Sequence, residues 1–238
     1  MEIKYLNIYN DIMDSIENKN IKPGEKLPSE NELMEKYNVS RDTIRKSLDL
    51  LEGNGYIHKI KGKGSFVLDV DKLDFPITGI VTFKELSKRM GVGSSTLLHE
   101  LDLINPDKFL VKKLELSEDD LIWRVIRSRE IDNKKIILDK DYFNSKYIPT
   151  LTEEICQNSI YEYIEKELGL NISFAKKEIT VQRVSNEDKE YLDLEDYDMI
   201  VVVKSYTYLD DASLFQYTES RHRPDKFRFV DFARRKNY

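Results

Sequence analysis

The sequence predicts an α+β protein in two parts, and three observations carry that prediction. In the first seventy residues, apolar positions recur three times at helical spacing, then two short strand-like runs flank a Lys-Gly-Lys-Gly stretch. An acidic, proline-containing stretch, DVDKLDFPITG, breaks this pattern. Beyond it LIWRVIRSREI with IILDKDYF, and YDMIVVVKSYTYLD with SLFQYTESRHR, read as antiparallel strands, with SIYEYIEKELG as a helix between the two pairs. The domains are accordingly 1–70, a linker at 71–78, and 79–238.

In the first part, Tyr5, Tyr9, Ile12 and Ile16 follow one helix face, and Pro23-Gly24 ends the loop after it. Ser29 and Glu32 form a capping-box pattern that opens a second helix through Leu33, Met34 and Tyr37, which stops at Asn38-Val39. Ser40 caps a third helix with the buried stripe Ile44, Leu48 and Leu51, and Gly53 and Gly55 are its stop signals. At 100° per residue Arg41, Arg45 and Lys46 fall on the polar arc beside that stripe. Lys61-Gly62-Lys63-Gly64 then joins the strands YIHKI and SFVL.

Charge gives this arrangement a direction. The 238 residues hold 38 Lys+Arg and 44 Asp+Glu, a net charge of −6, so bulk charge does not suggest a nucleic-acid coat. Residues 36–63 alone carry +4, the footprint of a protein that grips phosphate at one end. Two short helices with basic side chains at the start of the second match the helix-turn-helix that fills a major groove of double-stranded DNA, and the glycine hairpin is its wing. Arg41 and Arg45 are the base or phosphate readers, and Lys61 and Lys63 add charge at the wing.

Composition excludes several other classes. The 40% hydrophobic and 34% charged content is that of a globular chain. No run approaches the ~20 apolar residues that cross a bilayer, so no membrane association is expected. The amino end lacks a signal peptide's apolar run, and a cytoplasmic location is the expectation. The single Cys156 excludes an internal disulfide and a cysteine-rich zinc site, and His58, His99 and His222 are scattered, so neither metal nor cofactor is expected.

The stretch KLPSENELMEKYNVSRDTIRKSLDLLEGNGYIHKIKGKGSFV resembles the winged helix-turn-helix of the GntR family of bacterial transcription regulators, over residues 4–68. The resemblance implies DNA contacts from Arg41, Thr43 and Arg45 on the recognition helix, Ser29 near the backbone, and Lys61 with Gly62 at the wing tip. Ser40, Lys46 and Lys63 complete the expected set.

In the second part, Trp123, Val125, Arg127, Arg129 and Ile131 share one strand face. Two arginines on an otherwise apolar face need an anion. A three-residue loop would put Asp139 opposite Arg127, whereas a two-residue loop would put it on the other face. A structural Arg–Asp pair and a bound phosphate both satisfy the arginines, since guanidinium forks match phosphate oxygens.

This half resembles the UTRA effector domain of HutC-type GntR regulators, a chorismate-lyase-like antiparallel sheet with helices. The matching motifs are Thr82-Phe83-Lys84-Glu85, Arg127-x-Arg129, Asp139 where glutamate is usual, Ser159-Ile160-Tyr161, and the closing RHRPDKFRF. Asn133, Lys135 and His222 depart from the usual glycine, proline and tyrosine. LFQYTESRHRPDKFRFVDFARRK is similar to the trehalose-responsive members, which implies trehalose 6-phosphate as effector. By that resemblance Thr82, Phe83, Lys84, Arg127, Arg129, Ser159 and Tyr161 meet the phosphate, and Asp139, Glu219 and Arg221 meet sugar hydroxyls.

The expectation is thus a homodimeric repressor on a palindromic operator, with the acidic segment from Asp69 to Thr78 as hinge. One alternative is a regulator answering another sugar phosphate or small anion. Another is an enzyme using a carboxylate pair from Asp139, Asp141 and Glu219; fold does not carry activity across, and no enzyme is expected.

Overall fold

The structure is a computed structural model that describes residues 4–68, 80–90, 93–117 and 119–229. Two compact units divide the chain, with residues 4–68 in the first and 80–228 in the second. The expected linker at 71–78 lies outside the described residues.

The first unit runs α1 (Lys4–Glu17), α2 (Glu30–Tyr37), α3 (Arg41–Gly53), β1 (Ile57–Ile60) and β2 (Gly64–Val67). Its core gathers Ile8, Ile12, Met13 and Ile16 from α1 with Leu33, Ile44, Leu48, Leu51, Ile57 and Val67. The α1 stripe is rotated from the expected one. Ile8 and Met13 join Ile12 and Ile16 inside, while Tyr5 and Tyr9 are half-buried, and the Tyr9 hydroxyl accepts a hydrogen bond from Asn54. A phenol buries its ring and keeps its oxygen at the rim. Both serine caps form. Ser29 accepts from the Glu32 N–H while Glu32 accepts from the Ser29 N–H at 2.7 Å, and Ser40 accepts from the Thr43 N–H. At the wing, Gly62 and Gly64 take φ of +77° and +110°, which L-residues rarely adopt. A Cβ on Gly64 would also lie 2.6 Å from the Lys26 side chain.

The second unit runs α4 (Phe83–Met90), β3 (Ser94–Ile104), α5 (Lys108–Leu114), β4 (Ile122–Ile131), β5 (Lys134–Asn144), α6 (Glu153–Gln157), α7 (Ile160–Lys166), β6 (Ile172–Arg183), α8 (Asn186–Tyr191), β7 (Met199–Leu209) and β8 (Leu214–His222). The strands form one antiparallel sheet in the order β3-β4-β5-β8-β7-β6. On one face α6 and α7 pack over Val125 and Phe143, with Ile160, Ile164 and Cys156 in the layer between. On the other, α5 covers Ile122, Leu214 and Tyr217, and the segment around Leu192 and Leu194 covers Ile126, Leu138 and Val202.

The β4–β5 hairpin has a two-residue turn, Asp132-Asn133, with Ile131 opposite Lys134. Both turn residues have φ near +50 to +60°, as a twisted two-residue hairpin turn requires. Arg127 nevertheless pairs with Asp139, because the register slips between Arg129↔Ile137 and Glu130↔Lys135, leaving Ile136 as a one-residue bulge. The short turn alone puts Asp139 on the far face; the bulge returns it.

Candidate functional site

In the first unit, Arg41 and Arg45 converge on one carboxylate. Arg45 Nε donates to both Glu30 oxygens at 3.2 Å, Arg41 Nε lies 3.8 Å from Glu30 Oε2, and Arg41 Nη2 donates to Asn31 Oδ1 at 2.7 Å. Both arginine side chains are more than half exposed. Exposed pairs of this kind contribute only ~0.2–1 kcal/mol, so Glu30 holds the two arginines weakly. Lys46 leans on Asp42 one turn back at 3.1 Å, and Lys61, Gly62 and Lys63 form the exposed wing tip. Ser29, Ser40 and Thr43 are used in the caps, the Ser40 and Thr43 hydroxyls lying 2.9 Å apart.

In the second unit, a cavity of about 200 Å³ opens between the sheet, α4 and the start of α7. Thr82, Phe83, Lys84, Arg127, Arg129, Asp139, Ser159 and Tyr161 all line it. Its floor consists of cross-strand rows. Arg127, Asp139 and Ser220 form one, and Asp141, Thr218, Ser205 and Lys177 form the next.

Both arginines are buried and internally paired. Arg127 Nη2 meets Asp141 Oδ2 at 2.5 Å and its Nη1 donates to the Cys156 carbonyl at 3.0 Å. Its Nε has no hydrogen-bond partner among the described residues. Arg129 Nε donates to Asp139 Oδ2 at 2.7 Å, its Nη1 to Thr96 at 2.8 Å, and its guanidinium lies over the Phe83 ring. Burial opposes ionisation of Asp139, but Arg129 and Arg127 outweigh it and hold the carboxyl below its ordinary value. Asp141 accepts from Gln216 at 3.0 Å and Thr218 at 2.8 Å, and Tyr161 donates to Gln216 at 2.5 Å. Lys84 bridges Asn158 and Glu162, both at 2.8 Å. The Ser159 hydroxyl caps α7, accepting from the Glu162 N–H.

The lining carries Lys84, Arg127, Arg129 and Lys177 with Asp139 and Asp141, and Lys84 is also paired with Glu162. Period-two spacing from Ala175 marks Lys177 as a floor residue, but only the sheet order brings β6 to this cavity. Cys156 is no nucleophile, since burial pushes its thiol up to about 11.

Glu219 and Arg221 are not brought to the cavity. Alternation along β8 sends them to the opposite face, where Arg221 makes a two-pronged bond with Asp188 at 2.6 and 2.7 Å and Glu219 accepts from the Tyr217 hydroxyl at 2.6 Å. The cavity's two carboxylates, Asp139 and Asp141, are each tied to an arginine.

Burial holds His222 down to about 4, against an ordinary 6.5. A depressed value in the folded chain means its stabilising contribution is present above pH 6.5 and lost as pH falls toward 4. Urea unfolding followed through Trp123, the sole tryptophan, should lose about 3 kcal/mol across that window. His222→Phe should flatten the decline.

Among the described residues no helix is long and apolar enough to cross a membrane, and no His/Cys/Asp/Glu group suits a metal ion. Residues 4–67 match the bacterial regulatory proteins of the gntR family, and residues 89–228 match the UTRA domain. The chain is 56% identical over 232 residues to the HTH-type transcriptional regulator TreR of Bacillus subtilis (strain 168), covering 98% of each. Among solved structures, the possible transcriptional regulator YydK from Bacillus subtilis subsp. subtilis str. 168 aligns with a TM-score of 0.81 and 29% identity, over 97% of this chain and 99% of that one. The effector-binding domain of the B. subtilis trehalose repressor (TreR) aligns with a TM-score of 0.56 and 59% identity, over 60% of this chain and 99% of that one.

Proposed function

The chain belongs to the GntR family of bacterial regulatory proteins and carries a UTRA domain, and from that premise we propose that it silences genes of trehalose uptake and use until trehalose 6-phosphate fills its cavity. It is a DNA-binding transcriptional repressor whose relatives are regulators rather than enzymes. One observation supports an anionic effector above the rest: Arg127 and Arg129 lie side by side on the cavity floor, and the buried Arg127 Nε has no hydrogen-bond partner among the described residues. Guanidinium forks suit phosphate oxygens.

In this reading two chains hold a palindromic operator, each through Arg41, Thr43, Arg45 and Lys46 with the wing residues Lys61, Gly62 and Lys63, while Ser29 and Ser40 position the helices. The phosphate takes Thr82, Phe83, Lys84, Arg127, Arg129, Ser159 and Tyr161, and Asp139 turns to a sugar hydroxyl. Release follows if the sugar phosphate binds the DNA-incompetent conformer better. A hundredfold loss of operator affinity needs about 2.7 kcal/mol of such coupling, with the segment from Asp69 to Thr78 as hinge.

The test is fluorescence anisotropy of the full chain on a labelled palindromic duplex, titrated with trehalose 6-phosphate, trehalose and glucose 6-phosphate. Release by trehalose 6-phosphate alone at micromolar concentration is expected. Tight binding indifferent to all three discards the effector; release by glucose 6-phosphate at equal concentration reassigns it.

A further inference from the structure

We propose that Lys26, in the loop between α1 and α2, is a further contact to the DNA backbone, held beside one phosphate by the wing and adding affinity without sequence preference. It lies outside the basic stretch 36–63 and comes to the same side of the unit only through the fold.

Residues 24–27 run alongside β2. The Gly24 N–H donates to the Val67 carbonyl, the Val67 N–H to the Glu25 carbonyl and the Leu27 N–H to the Ser65 carbonyl, each at 2.8 Å, and Lys26 pairs with Phe66. Strand alternation then sends Leu27 and Val67 into the core, where both are buried, and leaves Lys26 on the outer face with Phe66 and Gly64. The Lys26 stem crosses Gly64 closely: a Cβ at residue 64 would lie 2.6 Å from Lys26 Cε and 3.5 Å from its Nζ. Gly64 directly follows the wing tip Lys61-Gly62-Lys63 and has a φ of +110°, so glycine supplies both the turn and the room for the lysine.

The ammonium end is directed at α2. Hydrogen bonds from Ser29 chiefly, with the Lys26 charge adding to them, hold the Glu32 carboxyl below its ordinary value, which sets Lys26 near the first turn of that helix. Glu30 and Asn31 of the same turn hold Arg45 and Arg41. Lys26 thus stands between the wing tip and the turn that carries the recognition arginines. Its methylenes pack on the wing while its charge stays at the rim. A compact ammonium there meets phosphate as a point charge and reads no base.

Anisotropy titrations at several salt concentrations test the assignment, with the full chain and its Lys26→Ala, Lys26→Arg and Lys22→Ala variants on a palindromic operator duplex and on a mixed-sequence duplex. Lys26→Ala should lower the slope of log affinity against log salt by about one and weaken binding about fivefold at ~0.15 M salt, equally on both duplexes. Lys26→Arg should keep the slope. Lys22→Ala should keep it too, because Lys22 lies beyond the Val67 end of this pairing, away from the wing tip. An unchanged slope in Lys26→Ala, an equal drop in Lys22→Ala, or a loss confined to the operator duplex overturns the proposal. Lys26 is exposed, so circular-dichroism melting of Lys26→Ala should match that of the unsubstituted chain; a lowered melt with an unchanged slope would make Lys26 a support of the wing and nothing more.

Discussion

Replacing Arg127 with methionine should lower the unfolding free energy of the second unit by about 3–5 kcal/mol and leave operator binding insensitive to trehalose 6-phosphate. The stability loss follows from what remains: the Asp141 carboxylate, with a side chain 4% exposed, loses the guanidinium 2.5 Å away. A buried charge without its counter-ion carries nearly its full desolvation penalty. The loss of response has a separate cause, since the cavity then holds one arginine instead of two. The double variant Arg127→Met/Asp141→Asn separates them. Asparagine removes the stranded charge but keeps an acceptor oxygen for Gln216 and Thr218, so most of the stability should return while effector binding should not. Urea unfolding read through Trp123, with calorimetric titration of trehalose 6-phosphate, measures both. Recovery of effector binding along with stability would mean that Arg127 only supports the fold.

Arg41→Ala and Arg45→Ala should each weaken operator binding by about 1–3 kcal/mol, the value of a bidentate base contact, and leave effector binding unchanged. Little stability should be lost, because both side chains are over half exposed, Arg45 resting on Glu30 and Arg41 on Glu30 and Asn31. The salt dependence of binding tells the two possible roles apart. A phosphate anchor lowers the salt slope by about one when removed, whereas a base reader relaxes preference at one operator position. Anisotropy titrations at several salt concentrations, with calorimetry on the same preparations, decide it. Simultaneous loss of DNA and effector binding in either variant would refute separate sites.

Local features of this protein could be read along the chain because neighbouring residues alone produce them. Ser29 with Glu32 caps α2, Ser40 caps α3, and the Ile44, Leu48 and Leu51 stripe builds the first core. The strand alternation that set Arg127 and Arg129 on one face, and the motifs around Thr82 and Ser159, also pointed to residues that line one cavity. Tyr5 and Tyr9 show where spacing falls short, since periodicity assigns a face but not which edge of it meets the core.

Only the tertiary structure decided the rest. A one-residue bulge at Ile136 returned Asp139 to the arginine face despite the two-residue turn, yet Arg127 took Asp141 as its partner and left Asp139 to Arg129. Alternation on β8 carried Glu219 and Arg221 away from the cavity, and the sheet order brought Lys177 to it from a distant part of the chain. The physical reason is common to all three. Helical spacing and capping are settled within a few bonds of the residue concerned, whereas register and strand order are settled by hydrogen-bonded partners far along the chain, where a single extra residue exchanges one face of a sheet for the other.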